Sequence, residues 1–395
     1  MKHSAVTTFV ITVLTALAGG AHAAPFLPGS GSDVVETLRG GGTPQPQQKE
    51  LGQLRRALAA APRDVGLATS VAQRYITLGR SDADPRYFGY AQAALGPWWN
   101  NPAPPPEVRL LRATLLQSTH QFDAALADLG AVLTLQPANV QAWLTQATVQ
   151  VVRADYAGAR TSCAKLATLA PSIVAATCAA NVGAMTGKLA QSRTLLETTF
   201  ERERGDNPDV NAWVRTMLAE MAERAGDTRA TEQWFDAALT DAPGDTYLLG
   251  AWSDYLLMRG RAPEAARLLA RHQAVDGLLL RYGIALKQMD KRAELAHVSA
   301  ELGARFDAAM RRGDGLHQRE QALYELRLRG DAARALTLAT QNWAVQKESA
   351  DARLLLEAAV AARNPRAARP VLDWMRSSGV EDRRLQELAR TLENS

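Results

Sequence analysis

Cysteine is nearly absent from this chain, since its 395 residues include only Cys163 and Cys178. Two cysteines are too few for a small domain held together by disulfides, and no third ligand lies at a spacing that a zinc site would use. Aromatic residues are also scarce, at 6%, whereas hydrophobic residues make up 47% and many of these are alanine. Because alanine lets helices approach closely, this composition favours many thin helical layers over one large globule.

Sequence patterns of common enzymes are missing as well. The histidines beyond residue 23, which are His120, His272, His297 and His317, are isolated, and no His-Glu-x-x-His, Gly-x-Ser-x-Gly or phosphate-loop pattern occurs. His272 and Asp276 lie one helical turn apart, but a surface pair explains this spacing more readily than a general base does. The sequence therefore predicts a non-catalytic protein that uses no cofactor and no metal.

Charge of one sign is not concentrated anywhere. The chain carries 45 basic and 41 acidic residues, a formal net charge of +4. The two signs alternate, as in Glu201-Arg202-Glu203-Arg204. Without a basic block or stripe, nucleic-acid binding has little support.

The first 23 residues are typical of a secretory signal peptide. They begin with a charge at Lys2, continue with an apolar run near residues 5–18, and end with the small-x-small pattern Ala21-His22-Ala23. The apolar run is too short to span a bilayer of about 30 Å, so an uncleaved anchor is the less favoured alternative. No second long apolar run follows. We therefore expect a periplasmic mature chain without a membrane span.

Residues 24–50 have the composition of a flexible linker. They contain Gly29-Ser30-Gly31, Gly40-Gly41-Gly42 and Pro44-Gln45-Pro46, with few large apolar side chains. Asp33-Val34-Val35-Glu36 could cap one helical turn that ends near Leu38. This turn is either a docking motif or incidental.

Prolines recur along the chain at the ends of candidate helices. They occur at steps of 35, 40, 34, 37 and 35 residues, at Pro62, Pro97, Pro137, Pro171, Pro208 and Pro243. Proline stops a helix, so each marks the end of the second helix of a hairpin. Turns within hairpins are predicted at Gly79-Arg80, Asp155-Tyr156, Gly226-Asp227, Gly260-Arg261, Gly330-Asp331 and, more weakly, Asp290-Lys291.

One unit shows the repeat most clearly. From Val140 it carries Trp143 and Ala147 in its first helix, Tyr156 and Ala159 in its second, and Pro171 at its end. In its spacing of large, small and breaker residues it resembles the tetratricopeptide repeat. Further copies run over residues 212–243 and 246–276, whereas the register is doubtful in residues 278–315 and 349–380.

The resemblance implies an all-α, right-handed superhelical solenoid of about nine hairpins over residues 51–395. Capping helices are expected at about residues 51–60 and 382–393, the latter through Leu385, Leu388 and Leu392. The resemblance also implies a ligand-binding concave groove lined by the first helices. Polar residues at groove-facing positions are the candidate contacts, namely Thr114, Gln117, Thr148, Asn181, Glu220, Tyr247 and Asp254. Trp213 is expected to be structural.

Trp98 and Trp99 open an extended loop that reaches Pro106 and accounts for the 40-residue step. Adjacent tryptophans cannot both face one core, so at least one is a candidate exposed anchor for a partner. Alternatively, the loop folds back over its own array.

Cys163 and Cys178 lie 8 residues before and 7 residues after Pro171. In antiparallel helices joined at that proline the two positions come level, and an exported protein meets an oxidising compartment. The pair forms either a disulfide between successive hairpins or two buried apolar thiols beyond bonding distance.

These features favour a periplasmic scaffold that binds a protein or peptide partner, expected to be an envelope protein, in its concave groove. The alternative is a solenoid that binds a glycan or another cell-envelope polymer. In that case Trp98, Trp99 and Tyr247 would stack on sugar rings.

Overall fold

A computed structural model describes residue 30 and residues 46–81, 84–311 and 318–393 of the chain. The regular secondary structure of these residues is helical, and they contain no strand. The first helices along the chain are α1 Pro46–Ala60, α2 Val65–Ser81, α3 Arg86–Ala94, α4 Gly96–Trp99, α5 Pro106–Ser118, α6 Phe122–Leu135, α7 Val140–Val152, α8 Tyr156–Leu169, α9 Ser172–Ala184, α10 Leu189–Glu203 and α11 Pro208–Ala225.

The remaining helices follow the same alternation of helix and short turn. They are α12 Thr228–Asp241, α13 Thr246–Met258, α14 Ala262–Leu269, α15 Asp276–Gln288, α16 Arg292–Arg311, α17 Gln318–Tyr324, α18 Ala332–Val345, α19 Ser349–Ala361, α20 Arg369–Ser378 and α21 Arg383–Glu393. A π-helical turn, Glu325–Arg329, extends α17, and a 3₁₀ turn, Pro365–Ala368, precedes α20.

The described helices form nine hairpins between two end helices, α1 and α21. In order, hairpins 1 to 9 are α2/α3, α5/α6, α7/α8, α9/α10, α11/α12, α13/α14, α15/α16, α17/α18 and α19/α20. Each first helix also packs on a neighbouring hairpin, so the layers stack in chain order. This confirms the predicted all-α solenoid of about nine hairpins, including both segments of doubtful register.

Small residues allow the helices of each hairpin to cross closely. Ala159, Ala219, Ala238 and Ala265 are fully buried, and Ala147 is buried as well. Three of the second helices, α8, α12 and α18, begin at side-chain caps that the turns supply. For example, the carboxylates of Asp155 and Asp227 accept hydrogen bonds from backbone N–H groups in the first turns of α8 and α12.

A residue with positive φ lies at the turn of eight successive hairpins. The values fall between 51° and 78°, at His120, Ala154, Gly187, Gly226, Gly260, Asp290, Gly330 and Arg363. Four are not glycine, and the left-handed conformation costs such residues roughly 1–2 kcal/mol. The turn position is therefore more regular in backbone conformation than in sequence.

The predicted turn at Gly79-Arg80 is wrong, because both residues belong to α2, which continues to Ser81. A Cβ atom on Gly79 would lie only 2.7 Å from the ring of Phe88 on α3. Glycine is therefore needed at this position for close packing of helices and not for a turn.

The two ends of the array are helical, as expected. At the carboxyl end, Leu385, Leu388 and Leu392 are buried along α21. At the amino end, α1 begins at Pro46, inside the stretch predicted as linker. The predicted signal peptide and most of the predicted linker lie outside the described residues. Among the described helices, none is both long and apolar enough to cross a membrane.

Candidate functional site

The carboxyl-terminal hairpins return to the middle of the array and close it. The backbone N–H of Lys347, between α18 and α19, donates a hydrogen bond of 2.8 Å to the carbonyl of Val152 at the end of α7. The N–H of Leu189, at the start of α10, donates one of 2.8 Å to a carboxylate oxygen of Glu381. We call the contact of residues 343–385 with the turns of hairpins 3 to 5 the seam.

Buried aromatic side chains lie at the centre of the seam. The ring of Trp374 on α20 packs edge-on against Trp343, with ring centroids 5.2 Å apart. Its indole N–H donates a hydrogen bond of 3.0 Å to the hydroxyl of Tyr156 on α8. Burial raises the pKa of Tyr156 to about 12, although this hydrogen bond acts in the opposite direction. Hairpins 3, 8 and 9 therefore share one apolar core.

Two glycine turns meet within the seam. Gly187 and Gly379 have φ values of 72° and 70°. A Cβ atom on Gly187 would lie 3.2 Å from the carbonyl oxygen of Gly379, which is closer than ordinary contact. A side chain at Gly187 would therefore push the two turns apart.

The closed array surrounds a cavity of about 2170 Å³, which we call the chamber. First helices supply much of its wall, including α7, α9, α11, α13, α15 and α19. Residues of hairpin 1, such as Tyr87 and Phe88, line one end. The chamber is thus the inside of the solenoid, bounded on one side by the seam.

One part of the wall is neutral. It lies on α7, α9 and the neighbouring face of α11, and its apolar side chains include Leu144, Ala147, Val151, Met185 and Met217. Thr148 is exposed among them and Asn181 is half-buried. This surface offers apolar contact together with a few hydrogen-bonding groups.

Another part of the wall is made of ion pairs. The guanidinium of Arg281 donates hydrogen bonds of 2.9 and 2.7 Å to the two carboxylate oxygens of Asp254. Arg353, on α19, lies 3.9 Å from Asp254 and 3.8 Å from Glu223. Arg319 pairs with the fully buried carboxylate of Asp351 at 2.6 Å. Most charges on this wall are thus neutralised by the protein itself.

Carboxylates on α11 are less completely neutralised. Burial raises the pKa of Glu223 to about 7, although the charge of Arg353 opposes this shift. Burial also raises the pKa of Glu220, which accepts a 2.5 Å hydrogen bond from the hydroxyl of Tyr247. The charge of Glu220 and burial raise the pKa of Tyr247 well above its usual range. Tyr247 is 63% exposed, but it lines the chamber, so this exposed surface faces the cavity.

Arg224, next to these groups, has a different environment. Its guanidinium lies 3.1 Å from the sulfur of Met185 and near the backbone carbonyl of Glu220. In the described part of the chain no carboxylate forms a salt bridge with it. Arg224 is therefore available to an anionic group in the chamber.

Of the seven predicted groove residues, five line the chamber: Thr148, Asn181, Glu220, Tyr247 and Asp254. Tyr247 and Asp254 already have partners within the wall, which are Glu220 and Arg281. Trp213 lines the chamber too, while also packing against the core of hairpins 4 and 5.

Thr114 and Gln117 do not belong to the chamber wall. Thr114 is buried, and its hydroxyl donates to the carbonyl of Leu110, 3.0 Å away. Gln117 is half-buried. In hairpin 2 the wall is formed instead by Ser118 and His120, at the end of α5 and in the following turn.

Trp98 and Trp99 do not form an exposed anchor. Both are half-buried and pack against the core of hairpin 1. The carbonyl of Trp99 accepts a hydrogen bond of 2.7 Å from Arg112 on α5. The loop therefore folds back on its own array, and neither tryptophan shares the chamber with Tyr247.

Cys163 and Cys178 are joined by a disulfide, with their Cα atoms 5.5 Å apart. It links α8 to α9, which are helices of successive hairpins. Cys178 also lies on the chamber wall. The bond therefore fixes the layer on which the neutral wall and one side of the seam are built.

The described residues contain no group of three or more His, Cys, Asp or Glu side chains arranged to hold a metal ion. His317 lies outside the described residues. The other three histidines are on separate hairpins or turns, and His297 pairs only distantly, at 4.0 Å, with Glu301.

Sequence reasoning missed the arginines of the chamber. Arg281, Arg319 and Arg353 lie near the starts of successive first helices, at intervals of 38 and 34 residues. This near-repeat spacing would have indicated a common wall. The contact of Arg353 with Glu223 and Asp254 depends on the seam, for which the sequence carries no local pattern.

No family model matches this chain, and no curated protein matches it. Several solved structures are similar in backbone. A chain of the APC/C hetero-tetramer Cut9-Hcn1 has a TM-score of 0.49 at 11% identity, over 88% of this chain and 67% of that chain. A tetratricopeptide repeat protein from Parabacteroides merdae has a TM-score of 0.33 at 14% identity, over 73% and 99% of the two chains.

The tetratricopeptide-repeat domain of P58(IPK) is similar with a TM-score of 0.21 and 14% identity, over 80% of this chain and 94% of that chain. Similarity at this level concerns the fold alone. The architecture of this chain, a solenoid of helical hairpins, is established by its own hairpins, with their small crossing residues and their regular turns.

Proposed function

We propose that this chain is an exported, non-catalytic scaffold that binds a segment of a partner protein inside the chamber. The observation that supports this proposal most strongly is the size and lining of the cavity. At about 2170 Å³ it exceeds the roughly 300–1,000 Å³ of typical small-molecule sites. It lies along the first helices of successive hairpins, so the shape suits an elongated ligand.

The two parts of the wall suit the two kinds of group in a polypeptide. Leu144, Val151 and Met217 provide contact for apolar side chains, while Thr148 and Asn181 provide hydrogen bonds for a backbone. Arg224 offers a charge-assisted hydrogen bond to a ligand carboxylate. A partner segment with alternating apolar and acidic side chains would use all of these groups.

Export to the periplasm is part of this proposal. It is supported by the signal-peptide pattern in residues 1–23 and by the disulfide between Cys163 and Cys178, since disulfides persist in oxidising compartments. We expect the partner to be a protein of the cell envelope.

The second candidate function, binding of an envelope glycan, receives less support. Its three aromatic residues do not share a surface, because Trp98 and Trp99 pack on hairpin 1 and Tyr247 lies in the chamber with its hydroxyl bonded to Glu220. A polymer ligand is therefore one outcome of the test and not a parallel proposal.

The test is in-cell photocrosslinking from an unnatural residue at position 148. Position 161 is a matched control, because Thr161 is also an exposed threonine in hairpin 3 but is not on the chamber wall. We expect a discrete protein adduct from position 148 that is absent from position 161. Asn181→Arg, which places a long cation in the wall, should remove the adduct.

Carbohydrate attached at position 148 in place of protein would overturn the proposal and favour the polymer alternative. Equal adducts from positions 148 and 161, or adducts that survive Asn181→Arg, would also contradict chamber binding.

A further inference from the structure

We propose that residues 33–39 of this same chain, Asp33-Val34-Val35-Glu36-Thr37-Leu38-Arg39, dock at the hairpin 1 end of the chamber and compete with its ligand. The inference rests on the proposed function only in that the chamber is the ligand site. The docking itself is a separate event with its own measurement.

The position of α1 brings the start of the described array to the chamber. α1 runs antiparallel to α2, and Glu50 pairs with Arg74. Pro46, one turn before Glu50, therefore lies level with about Gly79, one turn after Arg74. Gly79 lines the chamber. Because neighbouring helix axes are about 10 Å apart, the chain that precedes Pro46 emerges beside the rim.

The rim carries an aromatic surface. Tyr75, Tyr87 and Tyr90 form a cluster with ring centroids between 5.4 and 6.1 Å apart. Tyr90 is 52% exposed, and Tyr87 and Phe88 line the chamber. Hairpin 1 therefore presents aromatic rings both on its outer surface and into the cavity. We call the side chains of Tyr75, Tyr87, Phe88 and Tyr90 together the rim patch.

A cation lies beside the rim patch. Arg55 lies on α1, which packs against α2, the helix of Tyr75. Burial raises the pKa of Tyr75, and the positive charge of Arg55 acts against this shift. Arg55 is exposed, and in the described part of the chain it has no salt-bridge partner. The patch therefore combines aromatic surface with positive charge.

The segment complements this combination. Val34, Val35 and Leu38 provide apolar side chains, and Asp33 and Glu36 provide negative charge. In a helical turn, Val34 and Leu38 lie on one face. The segment can thus place aliphatic groups on the tyrosine rings and carboxylates near Arg55.

The length of the connection limits where the segment can dock. Six residues, 40–45, separate Arg39 from Pro46, and at about 3.3–3.6 Å per residue they span roughly 20 Å. This distance reaches the rim patch and the first part of the wall but not the far end of the chamber. A tether this short gives an effective concentration in the millimolar range. Weak intrinsic affinity therefore suffices for occupancy.

The first measurement is amide hydrogen exchange on the mature full chain. We compare it with the variant Val34→Asp/Leu38→Asp and with the control Thr37→Asp/Thr43→Asp, which adds the same charge but keeps the apolar face. We expect the amides of residues 33–39 to exchange about tenfold faster in the first variant than in the unchanged chain or the control. Equal exchange in all three proteins would overturn the proposal.

The second measurement uses a fluorescein-labelled synthetic peptide of residues 31–42. It should bind the Val34→Asp/Leu38→Asp chain and bind the unchanged chain about tenfold more weakly, because the tethered segment occupies the site. Adding Tyr90→Ala to the variant should remove binding. Failure of the peptide to bind the variant, or binding that is indifferent to Tyr90→Ala, would overturn the rim patch as the site.

Protection of residues 33–39 that rises with protein concentration would mean docking on a second copy of the chain, which contradicts a tethered occupant. The outcome for partner binding is read separately from the position 148 adduct. If residues 33–39 dock on the rim patch but position 148 gives no adduct, only the proposed function is contradicted. If position 148 gives the adduct but residues 33–39 do not dock, only the present inference is contradicted.

Discussion

Layers within the array and the seam are stabilised by contacts of different kinds. Layers join residues that are near in sequence, as with the 15-residue separation of the Cys163–Cys178 bond, and they use repeated small residues such as Ala159. The seam joins residues far apart, 192 positions for Leu189 and Glu381 and 218 for Tyr156 and Trp374. It uses individual contacts that do not recur along the chain.

The difference shows that the chamber depends on two levels of structure, the packing of single hairpins and the closure of the whole array. Hairpin packing makes the wall, and the accumulated curvature of several hairpins decides whether the wall closes. Each level can be disturbed without the other.

The largest effect is expected from Trp374→Ala at the seam, compared with Phe235→Ala in a layer. Both side chains are buried, so each truncation should cost about 3–5 kcal/mol. Amide hydrogen exchange should distinguish the two variants. In Trp374→Ala, the amides of α20 and α21 should exchange faster while those of α11 to α14 stay protected. In Phe235→Ala, the amides of α12 and α13 should exchange faster. A uniform rise in exchange with Trp374→Ala would show that seam and layers unfold as one unit.

Removal of the disulfide should weaken one layer by about 3 kcal/mol, the value for a closed loop of about 15 residues. The change is Cys163→Ala with Cys178→Ala, measured by denaturant unfolding against the unchanged protein with and without reductant. Since the reduced protein loses the same constraint, it should match the double variant. No difference between oxidised and reduced protein would contradict the expectation.

The carboxylate of Glu223 should make stability depend on pH. Its pKa is raised to about 7 in the folded chain, so the folded state binds the proton more tightly than the unfolded state does. This contribution is fully present below the ordinary pKa of about 4.5 and is lost as the pH rises through 7. Relative to Glu223→Gln, the unchanged protein should lose roughly 1–3 kcal/mol between pH 4.5 and 8.

Denaturant unfolding at pH 4.5 and pH 8 gives this difference. Glu387→Gln, which removes an exposed carboxylate on α21, is the control. If Glu223→Gln has no more effect on the pH dependence than the control has, the carboxylate does not titrate as described.

The smallest effect on stability is expected from adding a methyl group at Gly187, where its turn meets the turn at Gly379. Gly187→Ala and Gly330→Ala both place alanine at a positive φ, 72° and 74°, but a Cβ on Gly330 has no atom within 4 Å. The added Cβ on Gly187 presses on the backbone of Gly379. We expect Gly187→Ala to cost about 1 kcal/mol more than Gly330→Ala in thermal unfolding. Equal losses of stability in the two variants would mean that the turns at Gly187 and Gly379 can move apart without a cost in free energy.

The sequence was sufficient to predict the layers because each layer is built from local patterns. The proline spacing, the alanines and the Asp155 and Asp227 caps indicate where helices begin and end. Gly79 misled this reasoning, because a glycine that makes room for Phe88 looks the same in sequence as a glycine that turns the chain.

The site was only partly predictable for the same reason. Thr148 and Asn181 were found from their place on first helices, whereas Thr114 occupies a similar position but is buried with its hydroxyl bonded to Leu110. Neither the seam nor the approach of Arg353 to Glu223 could be predicted, because small rotations between layers add up over several hairpins before those residues meet.

Closure at the seam also has a kinetic consequence. Because the edges of the array are joined by the Tyr156–Trp374 and Leu189–Glu381 contacts, a segment held inside the chamber cannot leave across the seam while these contacts persist. It must leave by another opening of the chamber or wait until the seam opens. The residence time of the bound segment should then depend on the strength of the seam more than its association rate does. A weakened seam should shorten this residence time.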